Sequence, residues 1–206
     1  MSAGTVRVAA FDVDGTLTKS DCVVAFLRRI SGTVPLSLRI ARSPLSSGGA
    51  LLRRDRDALK AAAVRAAFTG RPVGPVEQEA RRFAEEVAAT RLRSDTLAAL
   101  DEHRRRGDTT VFVSASFELY LQPLAGLLGV DAAIGTRLNA PGGVFDGTLH
   151  GPNCRGAEKV RRLHALLVER WGSRDAVDVV AYGDSAGDRE LLADADEAHW
   201  TGAYRP

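Results

Sequence analysis

The stretch Val6–Thr16, VRVAAFDVDGT, sets an apolar run of strand length against two carboxylates, Asp12 and Asp14, one residue apart. A run such as Val6–Phe11, without polar alternation, fits a strand buried on both faces at the centre of a parallel sheet. The DVDGT that follows is turn-forming, and Gly15 lets the chain bend sharply. Both aspartates therefore belong just past the end of a central strand. As residues i and i+2 of extended chain they point the same way. In open α/β sheets, that is where ligands bind.

Working outward, the spacing predicts a helix from Asp21 to Ile30, N-capped by Ser20 and closed by Gly32. A short helical piece opens at Pro35, a loop covers residues 43–49, and helices follow over Ala50–Phe68 and Val76–Ala89 with TGRPVGP between them. A further helix spans Ser94–Arg106 and stops at Gly107. From there strands and helices alternate. TTVFVS at 109–114 reads as a strand, Glu118–Leu128 as a helix ended by Gly129, and AAIGTRL and TLH as short strands around a turn. Gly156–Trp171 reads as a helix, AVDVVAY at 176–182 as a buried strand, GDSAGD as the opening of a short last helix, and EAHW as a final strand. This pattern predicts an α/β fold: a Rossmann-like three-layer α/β/α core with a mostly parallel sheet. The helical stretch after the first strand is too long for an ordinary crossover. It is expected to be an inserted helical cap at 20–90, with the core at 1–19 and 91–206.

Composition narrows the classes. The chain has 206 residues, 45% hydrophobic and 26% charged, which is ordinary for a globular domain. No apolar run reaches the roughly 18 residues of a membrane helix, and the N-terminus lacks a signal-peptide pattern, so a cytoplasmic protein with no membrane partner is expected. Two cysteines, Cys22 and Cys154, do not make a disulfide scaffold. The net charge is +2, and the arginine runs are interleaved with acids and lack an aromatic stripe, which argues against a nucleic-acid groove. His103, His150, His164 and His199 show no metal-ligand spacing and read as surface or satisfied-core residues. Of 28 basic residues only Lys19, Lys60 and Lys159 are lysines. In so arginine-rich a chain, a retained lysine points to a need for a compact cation.

The expected strand ends carry Asp12 and Asp14, Ser114, and Asp184, and Lys159 lies near the start of the helix that precedes the strand at 176–182. Brought to one crevice, these carboxylates would repel one another unless a cation intervened. Oxygen-only ligands suit Mg²⁺. A lysine and a hydroxyl beside it make a pocket for a phosphoryl group, whose oxygens need cations and donors. A calcium loop starting at Asp12 is excluded, because Leu17 and Val23 stand where it needs Gly and Glu.

DVDGT at 12–16, VFVSAS at 111–116, GAEK at 156–159 and GDSAGD at 183–188 resemble the four ordered motifs of the haloacid dehalogenase superfamily, in its phosphoserine-phosphatase-like branch. The resemblance implies a Mg²⁺-dependent phosphatase acting on a small-molecule phosphate ester through an aspartyl-phosphate. It implies Asp12 as nucleophile and Asp14 as the residue that protonates the leaving group and then activates water. Asp12, Asp184 and the backbone carbonyl of Asp14 would bind the metal, with Asp188 supporting and Thr16 ordering the loop. Ser114, Ala115 and Lys159 would hold the phosphoryl group. In phosphoserine phosphatases an acidic residue after the first motif and a basic cap residue recognise the substrate, and Asp21 and Lys60 are similar in position. Asp21 also fits the first turn of a helix, where a carboxylate is favoured. Phe117 and Glu118 are near enough in sequence to shape the pocket. Two departures, Ala115-Ser116 in place of glycines and Gly187 in place of Asn, weaken phosphoserine itself and leave an amine-bearing ester as a wider expectation. A phosphotransferase or phosphomutase using the same phosphoaspartate, or a receiver-like domain that stores phosphate, are the alternatives. A monomer and a homodimer both fit the pattern.

Overall fold

The computed structural model describes residues 6–32 and 56–202. Its sheet has five parallel strands, β1 Val6–Phe11, β2 Thr109–Phe117, β3 Ala132–Thr136, β4 Val177–Gly183 and β5 Glu197–Trp200, in the order β3-β2-β1-β4-β5. β1 lies at the centre, paired with β2 on one side and β4 on the other, and Val8 to Phe11 are fully buried. The unbroken apolar run at the start of the chain is explained by this position.

Alternate residues of the strands feed two apolar layers. On one face, Val8, Ala10, Val111, Val113, Val179 and Ala181 meet Leu163 and Leu167 of α6 (Ala157–Trp171) and Leu191 and Leu192 of α7 (Arg189–Asp194). On the other, Ala9, Phe11, Phe112 and Val180 pack under α1 (Cys22–Ser31), α2 (Arg56–Phe68), α3 (Val73–Thr90), α4 (Ser94–Arg106) and α5 (Glu118–Leu128). Three layers result, as the alternation of strands and helices predicts.

The helices between β1 and β2 are joined to the core by aromatic packing. Phe26 of α1 lies 4.9 Å from the Tyr120 ring, 5.3 Å from Phe83, 6.2 Å from Phe68 and 6.3 Å from Phe117. Each such ring removed to alanine costs roughly 3–5 kcal/mol. The chain enters and leaves this insertion side by side. Lys19 N–H donates to the Arg91 carbonyl at 2.8 Å and Arg93 N–H to the Leu17 carbonyl at 2.9 Å.

Several boundaries differ from expectation. Asp21, not Ser20, caps α1, its carboxylate accepting from Val24 N–H at 3.1 Å. Both residue types cap well, and the turn after Thr18 aims the second one at the helix. α3 begins at Val73 because Pro75 falls in the first turn, where its missing N–H is not needed. TLH forms no strand, only a single Leu138–Leu149 bridge beyond β3. β2 runs three residues past Ser114, with a register shift against β3 between Val113 and Phe117. The piece at Pro35, the loop at 43–49 and the start of the Ala50 helix lie outside the described residues.

Candidate active site

A cavity of about 670 Å³ opens beyond the carboxyl ends of β1, β2 and β4. Asp12, Asp14, Ser114, Ala115, Lys159, Asp184 and Asp188 all line it, although 176 positions separate the first from the last. β1 delivers the first pair. Leu17 and Thr18 N–H both donate to the Val13 carbonyl, closing a tight turn in which Gly15 adopts φ +85°. A Cβ on Gly15 would stand 2.3 Å from an Asp184 carboxylate oxygen, so glycine is required by conformation and by space together. Arg93 donates to the Gly15 carbonyl at 3.4 Å, and Thr16 donates to Asp184 Oδ1 at 3.1 Å.

β4 ends in a second tight element. A Cβ on Gly183 would come within 2.6 Å of the Asp188 Cβ, and in that space Asp188 folds back. Its Oδ2 accepts from the Ser185 hydroxyl at 2.8 Å and Ser185 N–H at 3.0 Å. Lys159, in the first turn of α6, is almost wholly buried and donates to Asp12 Oδ1 at 2.6 Å and Asp188 Oδ1 at 2.5 Å. Burial opposes the Lys159 charge, but the Asp12 and Asp188 carboxylates outweigh it and hold its ammonium above the usual lysine range. Burial pushes Asp12 up against the pull of Lys159, whereas in Asp188 the ammonium and the Ser185 bonds overcome burial and hold it low. Asp184 is raised by burial and by the Asp188 charge.

Asp12, Asp184 and Asp188 each offer a carboxylate oxygen, all within 4.8 Å of one another. Three hard anionic oxygens and no sulfur or imidazole suit a small dication such as Mg²⁺, which prefers a few carboxylates and keeps its waters. The Asp14 carboxylate is not in this group. Its Oδ1 accepts from Cys22 N–H at 2.8 Å and its Oδ2 from the Ser116 hydroxyl at 2.6 Å. Burial, then the nearby Asp21 charge, raise Asp14 to about 6 in spite of those donors.

From the insertion side, Val23, Val24, Leu27, Leu59 and Ala63 give the cavity an apolar wall. Asp21 sits on its rim, exposed, serving the α1 N-terminus at the same time. Lys60 crosses from α2 to the core, donating to the Ala115 carbonyl, to Asn153 Oδ1 at 2.7 Å and to Thr136 Oγ1 at 3.1 Å. Its ammonium lies 4.9 Å over the Phe117 ring. Burial lowers it to about 8, with Asp14 the largest opposing influence.

The model of the haloacid dehalogenase-like hydrolases matches residues 9–193, a span that holds every residue lining the cavity. The chain belongs to this family. Among curated relatives of this hydrolase, Protein CicA of Caulobacter vibrioides (strain NA1000 / CB15N) is 41% identical over 191 residues, covering 92% of this chain and 83% of that protein. Among solved structures, a Bordetella pertussis Tohama I protein of unknown function shares the fold with a TM-score of 0.67 at 21% identity, covering 94% of this chain and 89% of that one. A substrate-bound phosphoserine phosphatase gives 0.63 at 19%, covering 94% and 84%.

The sequence-predicted residues of this hydrolase divide into two sets. Asp12, Asp14, Ser114, Ala115, Lys159, Asp184 and Asp188 line one cavity with Lys60 and Asp21, and Thr16 stands behind Asp184. Phe117 and Glu118 do not line it. β2 continues through Phe117, which turns that ring into the aromatic cluster, and Glu118 turns away from the cavity to accept from Arg137 at 2.8 Å and Gly135 N–H at 3.1 Å. Asn153, Arg155, Ser185 and Tyr120 were not singled out from sequence, and Ser116 was read only as a departure from a glycine pattern. Asn153 and Arg155 sit just before the GAEK motif, and Arg155 lies beside Gly187, where a Cβ would come 3.1 Å from its Nε. His103 is a satisfied core residue, bonded to Asp108 and to the Tyr182 hydroxyl. Cys154 is buried, and burial raises its thiol to about 11.

Proposed function

We propose that this haloacid dehalogenase-like hydrolase is a Mg²⁺-dependent phosphatase of small phosphate monoesters that works through an aspartyl-phosphate on Asp12, with residues 20–90 as its cap. The observation that carries the reading is the convergence of Asp12, Asp14, Ser114 and Lys159 with the Asp184–Asp188 pair in one cavity. The fold likeness to a substrate-bound phosphoserine phosphatase agrees with it.

In this reading, an Asp12 carboxylate oxygen attacks phosphorus, and the bond from phosphorus to the ester oxygen breaks. Asp14 gives its proton to the departing oxygen, which leaves as an alcohol. The Asp14 carboxylate then takes a proton from a water molecule, whose oxygen attacks the same phosphorus and releases inorganic phosphate. Asp12 returns as a carboxylate and Asp14 as an acid. Ser114 and Lys159 hold phosphoryl oxygens, Lys159 turning part of its charge from Asp12 to the substrate. Asp12, Asp184 and Asp188 would hold Mg²⁺, which when bound supplies positive charge to the phosphoryl oxygens.

A panel of monoesters in Mg²⁺, including phosphoserine, histidinol phosphate, phosphocholine, phosphoethanolamine, sugar phosphates and p-nitrophenyl phosphate, tests this reading. Phosphate release from at least one ester, lost on Asp12→Asn, is expected. Full activity in Asp12→Asn would overturn it. An amine-bearing ester preferred by the wild type and no longer preferred in Asp21→Ala would assign Asp21 to substrate recognition.

A further inference from the structure

Asp14 is held from two sides. One hydrogen bond comes from the backbone at the start of α1, through Cys22 N–H, and the other from the end of β2, through the Ser116 hydroxyl. Behind Ser116 stands a third group: the Tyr120 hydroxyl donates to Ser116 Oγ at 2.6 Å. Ser116 and Tyr120 are both fully buried, and neither lines the cavity, so neither can touch an ester bound there.

Proton counting gives the chain a direction. A serine hydroxyl has one proton, and a phenol has one. Among the described residues, the Tyr120 proton has Ser116 Oγ as its acceptor, and the Ser116 proton has Asp14 Oδ2. Reversing the chain would leave a buried O–H without an acceptor, at about 1–3 kcal/mol. The strand geometry explains the placement. Ser114 and Ser116 stand two residues apart near the end of β2, and the first meets the cavity while the second meets Asp14. Tyr120 follows Ser116 by four residues, in the first turn of α5, where its ring is clamped by Phe26 and Phe83.

We propose that Ser116 and Tyr120 are positioning residues for proton transfer by Asp14. With Cys22 N–H they fix the plane of the Asp14 carboxyl group and occupy one lone pair on each oxygen, so that its proton is presented to the leaving oxygen. The inference rests on the reading of Asp14 as the proton carrier. Its chemical signature follows from the leaving group. An alkyl ester leaves as an alkoxide and needs the proton as its bond to phosphorus breaks. p-Nitrophenolate departs as a stable anion and does not.

The test is kcat/KM in Mg²⁺ for an alkyl phosphate and for p-nitrophenyl phosphate, in the wild type, Ser116→Ala, Ser116→Thr and Tyr120→Phe. General acid catalysis supplies about 10²–10⁴-fold, and misaligning the acid forfeits part of it. Ser116→Ala is therefore expected to lose about 10- to 100-fold on the alkyl ester and under about 3-fold on p-nitrophenyl phosphate. Tyr120→Phe, which removes only the hydroxyl, is expected to show the same split at smaller size, and Ser116→Thr to restore the alkyl ester. Equal losses on both esters, or none, would overturn the inference and leave the phosphatase reading standing. A wild type that releases phosphate from no ester of the panel would overturn both. Should Ser116→Ala fail to fold, Tyr120→Phe decides by the same split.

Discussion

Lys159 and Lys60 reach the same cavity from opposite sides, and their surroundings make them different groups. Lys159 rises from a core helix into two carboxylates, which hold its charge in place against burial. Lys60 comes from α2 and meets a carbonyl, a hydroxyl, a side-chain amide and a ring face. Without a carboxylate in contact among the described residues, burial prevails and brings it to about 8. The same residue type thus acts as a fixed counter-charge on the core wall and as a clasp of neutral contacts on the insertion wall. The core side is set by electrostatics, in which one missing group unbalances the others. The insertion side is set by apolar packing and dipoles, where losses stay local.

The strongest way to break this contrast is at the core wall. Asp12→Asn keeps the shape of the side chain and its acceptor toward Lys159 but removes the carboxylate proposed as the nucleophile. Phosphate release in Mg²⁺ is expected to fall roughly 10⁴-fold or more, as when a covalent-catalysis group is removed from other hydrolases. Activity near wild type would show that the core wall does not carry the chemistry.

Lys159→Met and Lys60→Met test the contrast directly. The first leaves Asp12 and Asp188 buried without their cation. Breaking such a pair costs roughly 3–5 kcal/mol, and urea unfolding near neutral pH in EDTA is expected to show it. Mg²⁺ should return part of that stability, because a dication can take over the charge of the three carboxylates, and a thermal shift with and without EDTA measures the return. Lys60→Met forfeits hydrogen bonds to neutral acceptors, at about 1–2 kcal/mol, with no such metal dependence. Equal losses in the two variants would erase the distinction.

Much of the core wall was legible in the sequence because its residues stand at fixed offsets from strand ends and helix starts. Asp12 and Asp14 follow an apolar run, Lys159 opens a helix, and Asp184 and Asp188 bracket a turn whose glycines admit close approach. The insertion wall was less legible because it depends on contacts between distant segments. Nothing local in LKAA at 59–62 shows that Lys60 ends against Ala115, Thr136 and Asn153, up to 93 positions away. Ser116 looked like a departure from a glycine pattern, and its bond to Asp14 appears only once β2 runs on past Ser114. Phe117 and Glu118 fall outside the cavity lining for the same reason: three more residues of strand turn one into the core beneath Lys60 and the other to Arg137. At α1, Ser20 and Asp21 are both good caps, and the path of the chain after Thr18, not residue type, selects the second.

The smallest expected effect concerns pH, and its sign separates the two lysines. Lys60 has a folded value of about 8 against an ordinary 10.5, so between those limits the unfolded chain binds the extra proton. Stability rises with pH wherever the unfolded state holds more protons. The proton on Lys60, as distinct from the contacts of its side chain, therefore weighs against the folded state below about pH 8, and that burden lifts as pH climbs toward 10.5. Lys159 runs the other way: its value is raised, so its stabilisation is complete below 10.5 and is lost only at higher pH. Urea unfolding of the wild type and Lys60→Met from about pH 7.5 to 10 isolates the Lys60 part, because the variant lacks the titrating group. The difference in stability, wild type minus variant, is expected to rise across that window at no more than about 1.4 kcal/mol per pH unit, the slope for one proton. A flat difference would mean that Lys60 keeps an ordinary affinity for its proton, and the contrast between neutral and charged partners would fail. A falling difference would mean that carboxylates, Asp14 foremost, govern Lys60 as they govern Lys159.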